Sequence, residues 1–124
     1  MTVMWVLLAG GLGSAARYLI GHWAATALGV GFPYGTLIVN LVGCFALGLV
    51  VAVAGSWHGD VRAAIAAGFL GGFTTYSSFN QETLTMLTGG AASVAVLNVL
   101  ITLAGGLAAG TLGLTAGRLL TPGP

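Results

Sequence analysis

The chain has 124 residues, 57% of them hydrophobic and only 4% charged, with a mean hydropathy of +1.04. Three basic and two acidic residues leave a formal net charge of +1, too few charges to coat a water-soluble surface. The same scarcity, with no lysine at all, excludes a basic nucleic-acid face and a polybasic strip for anionic lipid.

What remains is a membrane protein, read as one domain over residues 1–124. Four apolar runs, Val3 to Leu28, Tyr34 to Ala54, Val61 to Leu87 and Ala91 to Leu120, are each long enough to cross a hydrocarbon core of about 30 Å. Turn residues separate them at Gly29–Pro33, Gly55–Asp60 and Thr88–Gly90.

In the first run the earliest positive charge is Arg17, well inside the apolar stretch. The charged start of a cleaved signal peptide is missing, and the segment is expected to be retained. Gly11-Leu12-Gly13-Ser14-Ala15-Ala16 mimics a dinucleotide-binding fingerprint. That fingerprint needs an acid about 20 residues later, and the only acids are Asp60 and Glu82. Gly10, Ser14, Arg17 and Gly21 read better as a stripe of mostly small residues for close helix packing.

The second run sets Thr36 and Asn40 one turn apart, so a hydroxyl and an amide share a face. Cys44 is the single cysteine, which rules out an internal disulfide and points to a small packing residue. The third run contains Gly71-Gly72-Phe73-Thr74-Thr75-Tyr76-Ser77-Ser78-Phe79, five hydroxyl side chains in succession. It reads either as a kink with Ser and Thr bonding back one turn, or as a break that frees carbonyls at one end and amides at the other. The fourth run repeats the amide-hydroxyl pair as Asn98 and Thr102 and carries a second stripe, Gly106, Gly110, Gly113 and Gly117. Polar faces on two helices favour a lined path over two independent clasps.

Catalysis has no footing: His22 and His58 are isolated, and neither a Ser-His-acid set nor a carboxylate pair is present. Arg62 and Arg118 fall on one side of a four-span arrangement and bias its orientation only weakly.

Taken together, Gly-Ser-Ala-Ala-Arg-Tyr in the first run, Gly-Thr-Leu-Ile-Val-Asn-Leu-Val-Gly in the second and Gly-Phe-Leu-Gly-Gly-Phe-Thr-Thr-Tyr-Ser-Ser-Phe in the third closely resemble the Fluc, or CrcB, fluoride channels. The resemblance covers nearly the whole chain in motif order. It implies an all-α membrane protein of four transmembrane helices, the third broken in mid-membrane, assembled as an antiparallel dual-topology dimer in the bacterial inner membrane. The implied function is passive fluoride export, without enzymatic activity, among lipid and beside a second copy or a sister subunit.

By position, the resemblance puts the pore asparagine at Asn40 and the pore aromatics at Tyr76 and Phe79. It puts backbone carbonyls for a structural sodium ion at Gly71 and Thr74, a vestibule arginine at Arg17 and a vestibule acid at Glu82. Asn98 and Thr102 fall on its fourth-helix polar track, and Thr36, Thr75 and Ser77 add hydroxyls to the fluoride path. Tyr76 departs from the Phe of many members and adds a hydroxyl to that ring. A small dual-topology proton-coupled exporter is the alternative; it needs a membrane-embedded carboxylate, and Glu82 stands near the end of its run.

Overall fold

The structure is a computed structural model and describes residues 1–121. All of its regular elements are helical: α1 (Thr2–Leu28), α2 (Tyr34–Val53), α3 (Gly59–Ala63), α4 (Gly71–Phe73), α5 (Tyr76–Thr88) and α6 (Ala92–Leu120). A single 3-10 turn, Ala54–Ser56, ends α2, and a π-helical segment, Ala64–Leu70, joins α3 to α4 as one rod. No strand occurs among the described residues.

Three helices are long and apolar enough to cross a membrane: Thr2–Leu28, Tyr34–Ser56 with the 3-10 turn included, and Ala92–Leu120. Even the 20 residues of α2 rise about 30 Å at roughly 1.5 Å per residue. The fourth apolar run is divided between the rod Gly59–Phe73 and α5. The helix boundaries fall within two residues of those expected at every loop. Gly90, with φ +83°, makes the turn between α5 and α6.

Packing pairs α1 with the rod and α2 with α6, each pair running parallel. Along the first pair Gly10 faces Gly68, Gly13 meets the Phe69 carbonyl, and Gly72 meets the Gly10 carbonyl. Along the second, Gly48 meets the Gly110 carbonyl, Gly113 the Phe45 carbonyl, and Gly117 Ala52. A methyl group at Gly13 or Gly113 would sit on a backbone oxygen, which is why the stripes lack side chains there. Both glycine stripes are thus used largely inside the chain.

The buried apolar set is small: Val50, Ala54 and Leu70 form a cluster with Ala46, Ile65, Ala66 and Phe69 against it. Large side chains such as Leu12, Leu107 and Leu119 stand outward, giving the surface the apolar character that lipid or a neighbouring chain requires.

Candidate functional site

The hydroxyl segment sits where α1, α2 and the rod converge. Gly71 and Gly72 remain helical; the helix ends at Thr74 (φ −81°, ψ 157°) and Thr75 (φ −151°, ψ 114°), and α5 begins at Tyr76. The interruption therefore lies two to three residues later than the paired glycines indicate. Thr74 still closes its turn, its N–H and its hydroxyl each donating to the Leu70 carbonyl at 3.0 Å. Its methyl group lies against Gly43 of α2, where a side chain would displace it.

Beyond Thr74 the backbone bonds go to side chains. Asn40 takes the Thr75 peptide at two points, its Nδ2 donating to the Thr75 carbonyl at 3.1 Å and its Oδ1 accepting from the Thr75 N–H at 2.8 Å. One N–H of the amide stays free of this clasp. Thr75 then caps α5, its Oγ1 accepting from the Ser78 N–H at 3.1 Å. On the other side of the interruption, Arg17 Nε donates to the Gly72 carbonyl at 3.0 Å and the Ser14 hydroxyl reaches it at 3.4 Å.

These bonds divert the amides of an ordinary helix. In an unbroken helix Gly71 would accept from Thr75 N–H and Thr74 from Ser78 N–H. Both donors are turned elsewhere, so the carbonyls of Gly71 and Thr74 lose their helical partners.

Three adjoining cavities meet here. A groove of about 460 Å³ is lined by Asn40, Gly71, Thr74, Thr75, Tyr76, Phe79 and Thr102, with an apolar wall that includes Leu47 and Leu107. A cleft of about 290 Å³ holds Arg17, Tyr18, His22, Thr36, Thr75 and Ser78. A mouth cavity of about 340 Å³ holds Thr36, Gln81 and Glu82 under the Gly29–Pro33 loop. Thr36 belongs to mouth and cleft, and Thr75 to cleft and groove, so the three follow one another.

Most of the residues singled out from sequence come together. Tyr76 and Phe79 pair with ring centroids 5.8 Å apart and planes at 54°, Tyr76 exposed and Phe79 buried. Thr36 Oγ1 donates to Glu82 Oε1 at 2.7 Å across 46 residues of sequence, while Glu82 Oε2 has no hydrogen-bond partner among the described residues. Ser77 is exposed, its hydroxyl 3.3 Å from Thr75 Oγ1.

Asn98 does not join the groove. It is buried at 1% exposure, and its Nδ2 donates to Thr83 Oγ1 at 3.0 Å. Sequence reasoning missed Ser14, Ser78 and Thr83. Ser14 was legible as Arg17's neighbour on one stripe and Ser78 as the third residue after a capping Thr; nothing local marked Thr83.

Comparison with known proteins gives a consistent picture. The family profile described as "CrcB-like protein, Camphor Resistance (CrcB)" matches residues 4–114. A protein of Acidobacterium capsulatum named "Fluoride-specific ion channel FluC" is 43% identical over 122 residues, covering 95% of this chain and 97% of its own. Proteins of the same name from Thermus thermophilus and Anaeromyxobacter dehalogenans are 44% and 47% identical, covering 93% and 84% of this chain and 92% and 85% of theirs. A match across nearly all of the described helices, with relatives this similar along their own length, establishes that the chain belongs to the CrcB-like protein family.

Proposed function

We propose that the chain is a fluoride-specific ion channel that lets fluoride leave the cytoplasm passively across the bacterial inner membrane, and that it is not an enzyme. The observation that carries this reading is the Asn40 clasp. It leaves one amide N–H of Asn40 outside the clasp in a groove that the Tyr76 and Phe79 rings also line and whose wall is largely apolar. Relatives similar over most of their length carry the name of such a channel.

The chemistry follows from the ion. Fluoride is small and strongly hydrated, and a dry path must replace its water with donors. The free Asn40 N–H, the Thr102 hydroxyl and the positive edges of the two rings are such donors, while the Thr75 hydroxyl donates to Ser78 Oγ at 3.1 Å and must turn to join them, as must that of exposed Ser77. A larger anion of the same charge gains less from each and fits a tighter space poorly. Arg17 and Thr36 stand in the cleft leading to the groove, and Glu82 beside the mouth.

The finer architecture belongs to the same proposal: the third helix breaks at membrane depth, and two copies, or this chain and a sister subunit, assemble antiparallel. Its supports are the interruption at Thr74–Thr75, the outward apolar surface and the weak Arg bias. A structural sodium ion fits this chain's donor set, because Gly71 and Thr74 offer neutral carbonyl oxygens whose helical amides are diverted, on the wall of the groove. Gly71 and Thr74 would hold the ion by those carbonyls, and it would supply a fixed positive charge beside the interruption.

Fluoride efflux from liposomes holding the purified protein tests the function. Efflux is expected without a pH gradient and unaltered by one; flux that requires the gradient would establish a coupled exporter instead. Replacing all sodium by a large organic cation is expected to slow the efflux severely, and unchanged flux would remove sodium from the account.

Orientation is checked separately. C-terminal tags are expected on both faces of the membrane in comparable amounts, and two lysines added to one loop should skew that ratio and lower activity. Full activity from chains inserted in one direction only would sink the antiparallel assembly.

A further inference from the structure

Asn98 is the most deeply buried polar side chain among the described residues, at 1% exposure, yet it lies outside the groove. Its amide reaches across to α5, donating to Thr83 Oγ1 at 3.0 Å, and that hydroxyl in turn donates to the Phe79 carbonyl at 2.7 Å. Phe79 is the inner member of the aromatic pair. A chain of two hydrogen bonds therefore runs from the second turn of α6 to the backbone of a residue whose ring lines the groove.

The rest of the α5–α6 contact cannot do this work. A small cavity between the two helices is lined, beside Thr83, by Leu87, Ala95, Val96, Val99 and Leu100, apolar groups whose attraction has no preferred direction. On one side α5 is tied to the extended Thr74–Thr75 link, and on the other to the turn at Gly89–Gly90. Thr36–Glu82 and the Asn40 clasp on Thr75 bind α5 to α2, and among the described residues Asn98–Thr83 is the side-chain hydrogen bond that binds it to α6. A hydrogen bond fails within a few tenths of an ångström or a few tens of degrees, so it sets depth and rotation where apolar contact does not.

We propose that Asn98 and Thr83 are positioning residues that lock α5 onto α6 and thereby fix the Tyr76–Phe79 pair at its place in the ion path. Asn98 then acts on permeation through Thr83 and the Phe79 backbone, without touching the ion. This inference rests on the channel reading above.

The test compares wild-type protein with Asn98→Leu, Thr83→Val, the double variant and Thr83→Ser, each reconstituted after its assembly state is verified by size-exclusion chromatography. Wild-type fluoride efflux tests the channel reading by itself. Asn98→Leu and Thr83→Val are each expected to lower flux about tenfold or more, since misplacement by about 1 Å is costly in a fitted site. The double variant should be no worse than either single one, and Thr83→Ser should conduct like wild type.

If Asn98→Leu loses flux while Thr83→Val conducts normally, Asn98 acts at the ion and the inference is wrong; two single variants at wild-type flux overturn it equally. A structural readout stands apart from conduction. Spin labels at Asn80→Cys and Leu119→Cys, in a Cys44→Ser background diluted with unlabelled protein, should give a narrow distance distribution that broadens in Thr83→Val. An unchanged distribution would overturn the inference even if the protein carried no fluoride.

Discussion

Asn40→Asp is expected to abolish fluoride flux in protein that still assembles. Two effects act in the same direction. A carboxylate in the groove places a fixed negative charge on the path of an anion, costing about 4 kcal/mol at 4 Å with an effective dielectric of about 20. That alone is roughly a thousandfold in rate. The second effect comes from the clasp: Asp keeps an acceptor for the Thr75 N–H but sets a second oxygen against the Thr75 carbonyl, where Nδ2 now donates at 3.1 Å. Two acceptors in contact repel, so the Thr75 peptide must turn away and the start of α5 must follow.

Asn40→Ala separates the two effects, because it removes the clasp without adding charge. It is expected to lower flux less than Asp does and to leave the Thr75 peptide without its side-chain partner. Liposome efflux measured on both variants gives the comparison, and wild-type flux in Asn40→Asp would take Asn40 out of the path altogether.

Arg17→Met is expected to lower flux at least about tenfold and to weaken the fold. In a continuous helix the Gly72 carbonyl would accept from Tyr76 N–H, a bond the interruption forbids. Arg17 Nε takes that place at 3.0 Å, with Ser14 as a longer second donor. A hydrogen bond from a charged donor contributes about 1.5–3 kcal/mol, and without it the Gly72 oxygen keeps only the longer bond from Ser14.

Arg17 has a second role open to it, since it lines the cleft with Tyr18, His22 and Thr36 and its charge can draw anions toward the groove. The concentration dependence of flux tells these roles apart. Loss of attraction raises the fluoride concentration needed for half-maximal flux, leaves the maximum alone and fades at high ionic strength. Loss of the Gly72 bond lowers the maximum at every ionic strength. Arg17→Lys keeps the charge without the planar Nε donor, so it should restore attraction but not the maximum. A variant series in which only the half-saturation moves would reduce Arg17 to an anion-attracting residue.

Much of this protein was legible in its sequence because a bilayer constrains a chain more severely than water does. With no water at depth to satisfy backbone groups, spans must be helices of predictable length, and four apolar runs between glycine- and proline-containing turns left little freedom in the element order. The same solvent makes polar residues stand out, and Thr36, Asn40, the hydroxyl segment, Asn98 and Thr102 were visible as exceptions to an oily background.

What each exception does was decided only by tertiary structure. Gly71 and Gly72 look like the breaking point, yet both stay helical and Gly72 lets α4 approach α1, while Thr74 and Thr75 leave the helix because Asn40, 35 residues away in sequence, takes the amide of Thr75. Asn98 and Thr102 look equivalent at a spacing of one turn. One turn apart along α6, the two meet different neighbours, Thr102 the groove and Asn98 the Thr83 hydroxyl of α5. A 3.6-residue period names the face of a helix, but it does not say which neighbour that face meets. Hydrogen bonds between residues 15 to 58 positions apart carry that information, and they exist only once the helices have packed.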